Sequence, residues 1–494
     1  MAEKTTYGTV FKTTFLFGFV QVFNAIVAIF KNKIVAILIG AEGIGLLSIF
    51  GSTMRLLQTG AGLGVNQSAV RDVSEANGKG NRSRISRIIS VTNKVVLFTG
   101  LLGCMITLVL SYWLSDWTLD SHAYVISYCI LGIAVACNIM NDGKMAIIKG
   151  VRHLKSLAKA SIIGTLVGLF TAIPLYYFFG KDGIVPEILI SSILALLTSQ
   201  YFVNKISVDK VKLSFKEAYI DARSMVKIGC ALMFVSFVTM FVSVVINSYM
   251  ISNGGLKDVG FYNAGVTILN SYFGLVITAL MTDYYPRISS VNKDNNLLQD
   301  ELNKQAKVSL VLCCPMCVLF MVYSSIAVQL LYTSEFEPAV DYLRFGIYWT
   351  LITICSNQID LILVAKGEVR IFTVIALSIR AIQIVACIGL YKYFGLLGLG
   401  ISYAFLGVIH MTIMTTVVYK KYRICFDSTF IKLAIVELLF AISATILSFT
   451  ENQIINYTIG SVLIILSFVF SYYTTKRILG INIFKFLRTR LVKK

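Results

Sequence analysis

Four cations, Arg55, Lys94, Lys144 and Arg380, stand inside long apolar runs of this sequence. A charge at the centre of a membrane-spanning helix costs about 2.5–3.5 kcal/mol on insertion scales, so each must face a polar cavity or reach an interface. Lys144 lies about one helical turn, and Lys94 about two, from the nearer end of its run, within snorkelling distance. Arg55 and Arg380 sit near mid-run and are expected to line a cavity. Two guanidinium groups there would select an anionic cargo carrying phosphate or carboxylate. Gln21 and Asn24 in the first run and Gln58, Asn66 and Gln67 in the second could add hydrogen bonds to sugars, as could tyrosines 176, 177, 272, 284 and 285. Tyrosines at helix ends also serve as interfacial anchors. Asp142 shares a polar patch with Asn138 and Asn141, and Asp360 one with Asn357 and Gln358. With Asp283 these two carboxylates are candidates for proton or sodium coupling, unless they pair with a neighbouring Arg or Lys.

Other chemistry finds little support. The spacing of Cys313, Cys314 and Cys317 resembles a metal cluster, but the segment around them is Leu, Val and Met, so no metal site is expected. The ten cysteines read as reduced packing residues. His122 and His153 fall in loops, and His410 is expected to be a lone packing or hydrogen-bonded helix residue. No triad or paired-carboxylate arrangement points to an enzyme. The stretch Gly78-Lys79-Gly80 lacks Walker A spacing, so neither ATP hydrolysis nor another cofactor is expected. A carrier is left.

The elements that position these residues are membrane helices. The chain has 494 residues, 57% hydrophobic and 14% charged, against about a quarter charged in soluble domains. Fourteen apolar runs emerge, near 10–32, 43–66, 86–113, 123–148, 157–179, 184–203, 226–250, 259–284, 306–331, 340–365, 370–391, 396–419, 430–449 and 454–475. No small-residue cleavage site follows the first, so it is expected to remain. Alternate loops divide the basic residues 34 to six, with four inside the runs. The rule that positive loops stay inside then puts both termini in the cytoplasm. The net charge of +19 is thereby explained by topology and anionic lipid heads, without nucleic acid.

An internal repeat is visible. Phe11 to Gly45 aligns without gaps on Val226 to Gly260 at an offset of 215, pairing Gly40 with Gly255 and Gly45 with Gly260. Phe179-Gly180 returns as Phe394-Gly395 at the same offset, while Lys149-Gly150 matches Lys366-Gly367 at 217. The expected fold is an all-α polytopic membrane protein of about fourteen helices. Its domains are a six-helix bundle over 1–203, a basic cytoplasmic linker over 204–225, a parallel six-helix bundle over 226–425, and two further helices with a basic tail over 426–494. Alternating access by rocking two bundles is the mechanism this architecture implies.

Leu38-Ile-Gly-Ala-Glu-Gly-Ile-Gly-Leu-Leu47, Gly60-Ala-Gly-Leu-Gly-Val65 and Ala69-Val-Arg71 resemble the second-helix signature of the Wzx-type polysaccharide flippases. Leu330-Leu-Tyr-Thr-Ser-Glu-Phe-Glu-Pro-Ala339 and Lys366-Gly367 fit the same group. These flippases belong to the multidrug, oligosaccharidyl-lipid and polysaccharide exporter superfamily, whose fold is two parallel six-helix bundles in a V, sometimes with two extra C-terminal helices. The resemblance covers about residues 10–420. It implies a functional monomer in the bacterial inner membrane that flips an undecaprenyl-diphosphate-linked oligosaccharide. The repeat unit would belong to O-antigen, capsule or exopolysaccharide, with a polysaccharide polymerase as a conceivable partner. Arg55 and Arg380 match the cavity cations of such flippases in depth and charge. The alternatives are a peptidoglycan-precursor flippase, whose first-helix arginines are replaced here by Gln21 and Asn24, and a cation-coupled multidrug exporter, which would need more central acids.

Overall fold

The computed structural model describes residues 2–206, 211, 215–450 and 452–478, with side chains described from Phe19 onward apart from scattered positions between 215 and 283 and at Gln453. The first stretch of chain runs through α1 Ala2–Ala61, α2 Val65–Gly78, α3 Arg82–Leu119, α4 Val125–Gly150, α5 Leu154–Phe179, α6 Ile184–Asn204 and α7 Phe215–Ile268. There follow α8 Gly274–Ser290, α9 Asn295–Val322, α10 Ser324–Leu331, α11 Ala339–Ala365, α12 Val369–Tyr422, α13 Ser428–Leu447 and α14 Gln453–Ile478. The chain is an all-α polytopic membrane protein. Large apolar side chains cover its outside, among them Val109, Val385 and Ile454, each about three-quarters exposed. In water such a surface would drive aggregation; against lipid tails it is at home.

Ten helical stretches among the described residues are long and apolar enough to cross a membrane, yet four are far too long to cross once. Val369–Tyr422 has 54 residues, about 80 Å of straight helix, against a hydrocarbon layer of about 30 Å. Each of the four is broken at a glycine with positive φ. Gly40 (φ 63°, ψ −170°) and Gly255 (φ 82°, ψ −180°) break α1 and α7. Gly180 (φ 56°, ψ −129°) separates α5 from α6, and Gly395 (φ 57°, ψ −137°) breaks α12. These angles exclude side chains with a Cβ almost entirely. The four breaks turn ten stretches into the fourteen spans expected.

The breaks also carry the repeat. Gly40 matches Gly255, and Gly180 matches Gly395, in sequence offset and in backbone angle. Beyond the second pair, a Cβ on Gly183 would come within 2.5 Å of the Leu175 carbonyl oxygen, and one on Gly398 within 2.1 Å of that of Leu390. The C-terminal end of α4 corrects the alignment of Lys149-Gly150 on Lys366-Gly367. His153 N–H bonds to Ile148 O with Arg152 at φ 56°, and Glu368 N–H bonds to Leu363 O with Gly367 at φ 79°. The same helix-ending turn therefore recurs at 215, registering Gly367 with Arg152 instead of with Gly150 at 217. A paired Lys-Gly is common at such ends, and it misled the sequence alignment by two residues.

The chain divides into two compact units, Met1–Gly260 and Phe261–Lys494. The first part of α7 packs inside the first unit through backbone contacts. A Cβ on Gly229 would come within 2.4 Å of Leu63 O, and one on Gly64 within 2.1 Å of Gly229 O. Further along, Gly45 and Gly260, matched by the repeat, face one another: their Cβ positions would lie 2.0 and 2.1 Å from Leu256 O and Ala41 O. Small residues let membrane helices approach backbone to backbone where no hydrophobic drive operates between them. The later part of the expected linker is itself helical, as the start of α7, and Ser90 Oγ on α3 donates to Val211 O at 2.9 Å.

Helices starting at the basic loops are capped by side chains, as Asn81 accepts from Arg84 N–H, Asp294 from Asn296 and Leu297, and Asp427 from Phe430. Within the second unit, α9 carries the two C-terminal helices. Ser471 Oγ on α14 and the carboxylate of Glu437 on α13 are 3.1 Å apart, and Cys314 on α9 donates to Glu437 O. Glu437 is thus a packing residue.

Gly45→Ala is expected to destabilise the protein by about 1–3 kcal/mol, because backbone cannot yield as a side chain can. Gly164→Ala, in the middle of α5 with nothing within 4 Å of its Cβ position, should gain up to about 1 kcal/mol. Thermal unfolding in one detergent, followed by size-exclusion profile, separates the two.

Candidate functional site

The structure brings some of the polar residues singled out by sequence into contact and leaves others apart. In the first unit, α1 ends at Ala61, and the turn through Gly62, Leu63 and Gly64 swings α2 away. Leu63 adopts φ 50°, unusual for a residue with a branched side chain, and the close fit on Gly229 holds it there. Beside this turn lies a cavity of about 120 Å³, lined by Gln58, Asn66, Gln67, Asp142 and Ser236 with an apolar wall including Val96 and Met233. That volume suits a few waters or one small polar group. Gln58 Nε2 donates to Asp142 Oδ2 at 2.6 Å, joining α1 to α4 across the cavity. Gly143, the neighbour of Asp142, lets α3 close in: a Cβ there would lie 2.5 Å from Val96 Cγ1.

The four cations fare differently. Arg55 lies one turn before Gln58 on α1, exposed, and among the described residues nothing pairs its guanidinium. Lys144 is half-buried and donates to Asn93 Oδ1 at 2.7 Å, tying α4 to α3. Lys94, on α3, is half-buried. Asn24 serves the join between α1 and α5, donating to Ser161 Oγ at 2.9 Å and accepting from Thr165 Oγ1 at 3.0 Å, while Gln21 is exposed.

In the second unit, Arg380 begins a chain of hydrogen bonds. Its Nη1 donates to Gln383 Oε1 at 2.5 Å, Gln383 Nε2 donates to Tyr403 Oη at 3.0 Å, and Tyr403 and Tyr262 share a 2.6 Å bond. Tyr342 and Trp349 meet the Tyr403 ring edge to face. Asp360 on α11 meets a partner that sequence did not provide: its Oδ1 lies 3.5 Å from His410 Nε2 on α12, and His410 Nδ1 lies 3.3 Å from Ser356 Oγ. His410 is therefore not alone. Fifty residues and a change of helix separate the two, so no spacing rule reveals them. Gln358, part of the expected polar patch, is fully buried and donates to Ser309 Oγ and Ile354 O, which makes it a packing residue. The side chain of Asp283 lies outside the described residues, as does that of Tyr272.

Of the tyrosines offered for sugar contact, Tyr176 and Tyr284 are buried and bonded to Glu187 and Gln358 O, whereas Tyr177 and Tyr285 are exposed. The basic loops carry their own pairs. Arg87 holds Asp221 at 2.7 Å, and Lys79 with Arg84 surrounds Glu75, where the Lys79 ammonium keeps that carboxyl below its usual range.

Truncation of Gln58 to Ala leaves the Asp142 carboxylate without its amide donor, at an expected cost of about 1–3 kcal/mol. The double variant with Asp142→Ala should cost less than the two single changes together. A double-mutant cycle of thermal unfolding tests the bond, and full additivity would show that it contributes nothing.

A family model described as "Polysaccharide biosynthesis protein" matches residues 45–341. A curated protein of Shigella flexneri, named "Putative O-antigen transporter", is 21% identical over 358 residues, which cover 69% of this chain and 82% of that protein. Among solved structures, the lipid II flippase MurJ in an inward closed conformation superposes with a TM-score of 0.71 at 17% identity, over 94% of this chain and all of that one. An inward-facing multidrug resistance MATE family transporter of the MOP superfamily superposes with a TM-score of 0.64 at 14% identity, over 81% of this chain and 95% of its own. At these identities the structural likeness establishes the fold.

Proposed function

We propose a function for this chain, which belongs to the polysaccharide biosynthesis protein family: it carries a lipid-linked oligosaccharide across a membrane and catalyses no covalent step. The family match, the O-antigen transporter relative and the flippase fold support the coarse reading together. The finer reading is that the cargo is an undecaprenyl-diphosphate-linked repeat unit of O-antigen, capsule or exopolysaccharide, moved from the inner to the outer leaflet of the bacterial cytoplasmic membrane. Both termini would be cytoplasmic, and the monomer would be the working unit.

The observation that carries the finer reading is Arg55. A guanidinium on a membrane helix with no acid beside it is an unanswered cost unless a ligand answers it. A diphosphate suits it well, offering several oxygens to a planar fork of donors. Arg380 presents a second guanidinium in the other unit, held by Gln383 through one nitrogen and with donors to spare. Gln58, one turn after Arg55 on α1, and the cavity it lines with Asp142 of α4 would meet the polar part of the cargo. Lys94, Lys144, Gln21 and Asn24 remain further positions for contact with it, with Lys144 and Asn24 already engaged between helices.

Replacing either Arg55 or Arg380 with Ala is expected to lower surface polysaccharide at least tenfold at unchanged protein level, with partial rescue by Lys. Lipid-linked oligosaccharide, measured by mass spectrometry of lipid extracts, should accumulate in the same cells. Normal polysaccharide from both variants would remove the diphosphate site. Reporter fusions after Lys79, Ser156 and Lys304 should read cytoplasmic; a periplasmic signal would invert the topology.

A further inference from the structure

We propose that the cavity between α2, α3 and the first turns of α7 holds the head group of an aminophospholipid, its phosphate on guanidinium groups and its primary ammonium on carboxylates. This cavity of about 490 Å³ shares no lining residue with the one beside Gln58 and Asp142. Its polar wall carries Arg71, Asp72 and Glu75 from α2, Arg84 and Arg87 from α3, and Asp221 from α7. Each of these groups is only partly engaged. Arg71 places Nε and Nη2 on one oxygen of Asp72, at 2.9 and 2.7 Å, and leaves the other oxygen open. Arg87 meets Asp221 Oδ2 through Nε at 2.7 Å and keeps both terminal nitrogens. Glu75 accepts from Lys79 on Oε1 at 2.7 Å, while Arg84 Nη1 stays 3.9 Å from that same oxygen, an attraction without a hydrogen bond. Among the described residues, one oxygen on each acid and most N–H groups of Arg84 and Arg87 thus have no protein partner.

Depth decides what class of ligand fits. Ile88 and Val91 follow Arg87 within about a turn on α3, and Met225 follows Asp221 by one turn on α7, so the cavity passes from charge to apolar wall over about 5 Å. That change falls at the start of two apolar runs, 86–113 and 226–250. A soluble ion has no use for the apolar wall, whereas a glycerophospholipid sets its phosphate just above its first acyl carbons at this level of a membrane. The charge balance then selects the head group. Arg84 and Arg87 offer a phosphate the forked donors it binds best, but three acids in the same wall repel a head group that is anionic overall. A primary ammonium brings three N–H donors to the open carboxylate oxygens; a choline brings the charge without them. So bound, the lipid bridges α3 to the start of α7, beside the Arg87–Asp221 pair and the bond from Ser90 Oγ to Val211 O.

The test uses the full chain, stripped of native lipid in detergent and given equal amounts of dioleoyl phosphatidylethanolamine, phosphatidylcholine and phosphatidylglycerol. Native mass spectrometry identifies the first lipid bound. We expect the ethanolamine lipid to be favoured about tenfold over the choline lipid, the worth of about one charge-assisted hydrogen bond. Asp72→Asn combined with Glu75→Gln should erase that preference and raise phosphatidylglycerol above both, because acids that repel it are gone. Arg84→Gln combined with Arg87→Gln should weaken all three lipids, and a monodisperse profile confirms that both double variants fold. If wild type takes the choline lipid as readily, or prefers phosphatidylglycerol, the ammonium site is overturned. A wild-type preference that survives in both double variants would place the lipid elsewhere and overturn the cavity as its site. Glycerophosphoethanolamine, the head group without chains, should displace little lipid at equal concentration; displacement as complete as that by the lipid itself would assign the cavity to a soluble phosphoamine and overturn the lipid reading.

Discussion

Hydrocarbon offers a backbone N–H or C=O nothing to bond with, so a chain inside it must satisfy every such group within its own helix. That demand decides most of what this protein is. It makes every described span helical, and a glycine breaks each of the four longest stretches, which far exceed the hydrocarbon layer of about 30 Å. The breaks at Gly40, Gly180, Gly255 and Gly395 are where the chain reverses with the least loss of hydrogen bonding, because glycine alone enters the left-handed region cheaply. Their recurrence at a constant offset means that the duplication has preserved turn geometry even where the side chains between have diverged.

The same solvent sets the terms for polar side chains. A buried donor or acceptor without a partner costs several kcal/mol in hydrocarbon, and several polar residues on the spans are paired across helices. Gln58 answers Asp142, Asn93 answers Lys144, Ser161 and Thr165 answer Asn24, and His410 answers Asp360. Each pair fixes one helix against another. Against that background Arg55 stands apart, exposed and unpaired among the described residues, and Arg380 keeps donors in reserve. A guanidinium left open in this way is what the proposed anionic cargo would answer.

Close packing is carried by small residues. Gly45 on Gly260, Gly64 on Gly229 and Gly143 against Val96 bring helices together where larger side chains would hold them apart. One consequence is functional. The Leu63–Gly64 turn against Gly229 forms one edge of the polar cavity, so Met233 and Ser236 of α7 line it beside residues of α1, α2 and α4. This contact also draws the early part of α7 into the first unit, although the repeat assigns it to the second copy.

Hydropathy and charge along the chain were enough to find the spans, their number and the duplication, because lipid solvation acts on each segment separately and leaves a local signature. Arg55 and Arg380 stood out for the same reason, as charges in apolar runs need no neighbour to be conspicuous. What those charges and their polar companions touch was decided only by tertiary structure. The pairing of Asp360 with His410, the engagement of Asn24 and Lys144 between helices, and the burial of Gln358 all depend on how separate helices rotate and cross. Sequence spacing describes one helix at a time, whereas a hydrogen bond across a bundle is set by packing, where a glycine's missing methyl group counts as much as any charge.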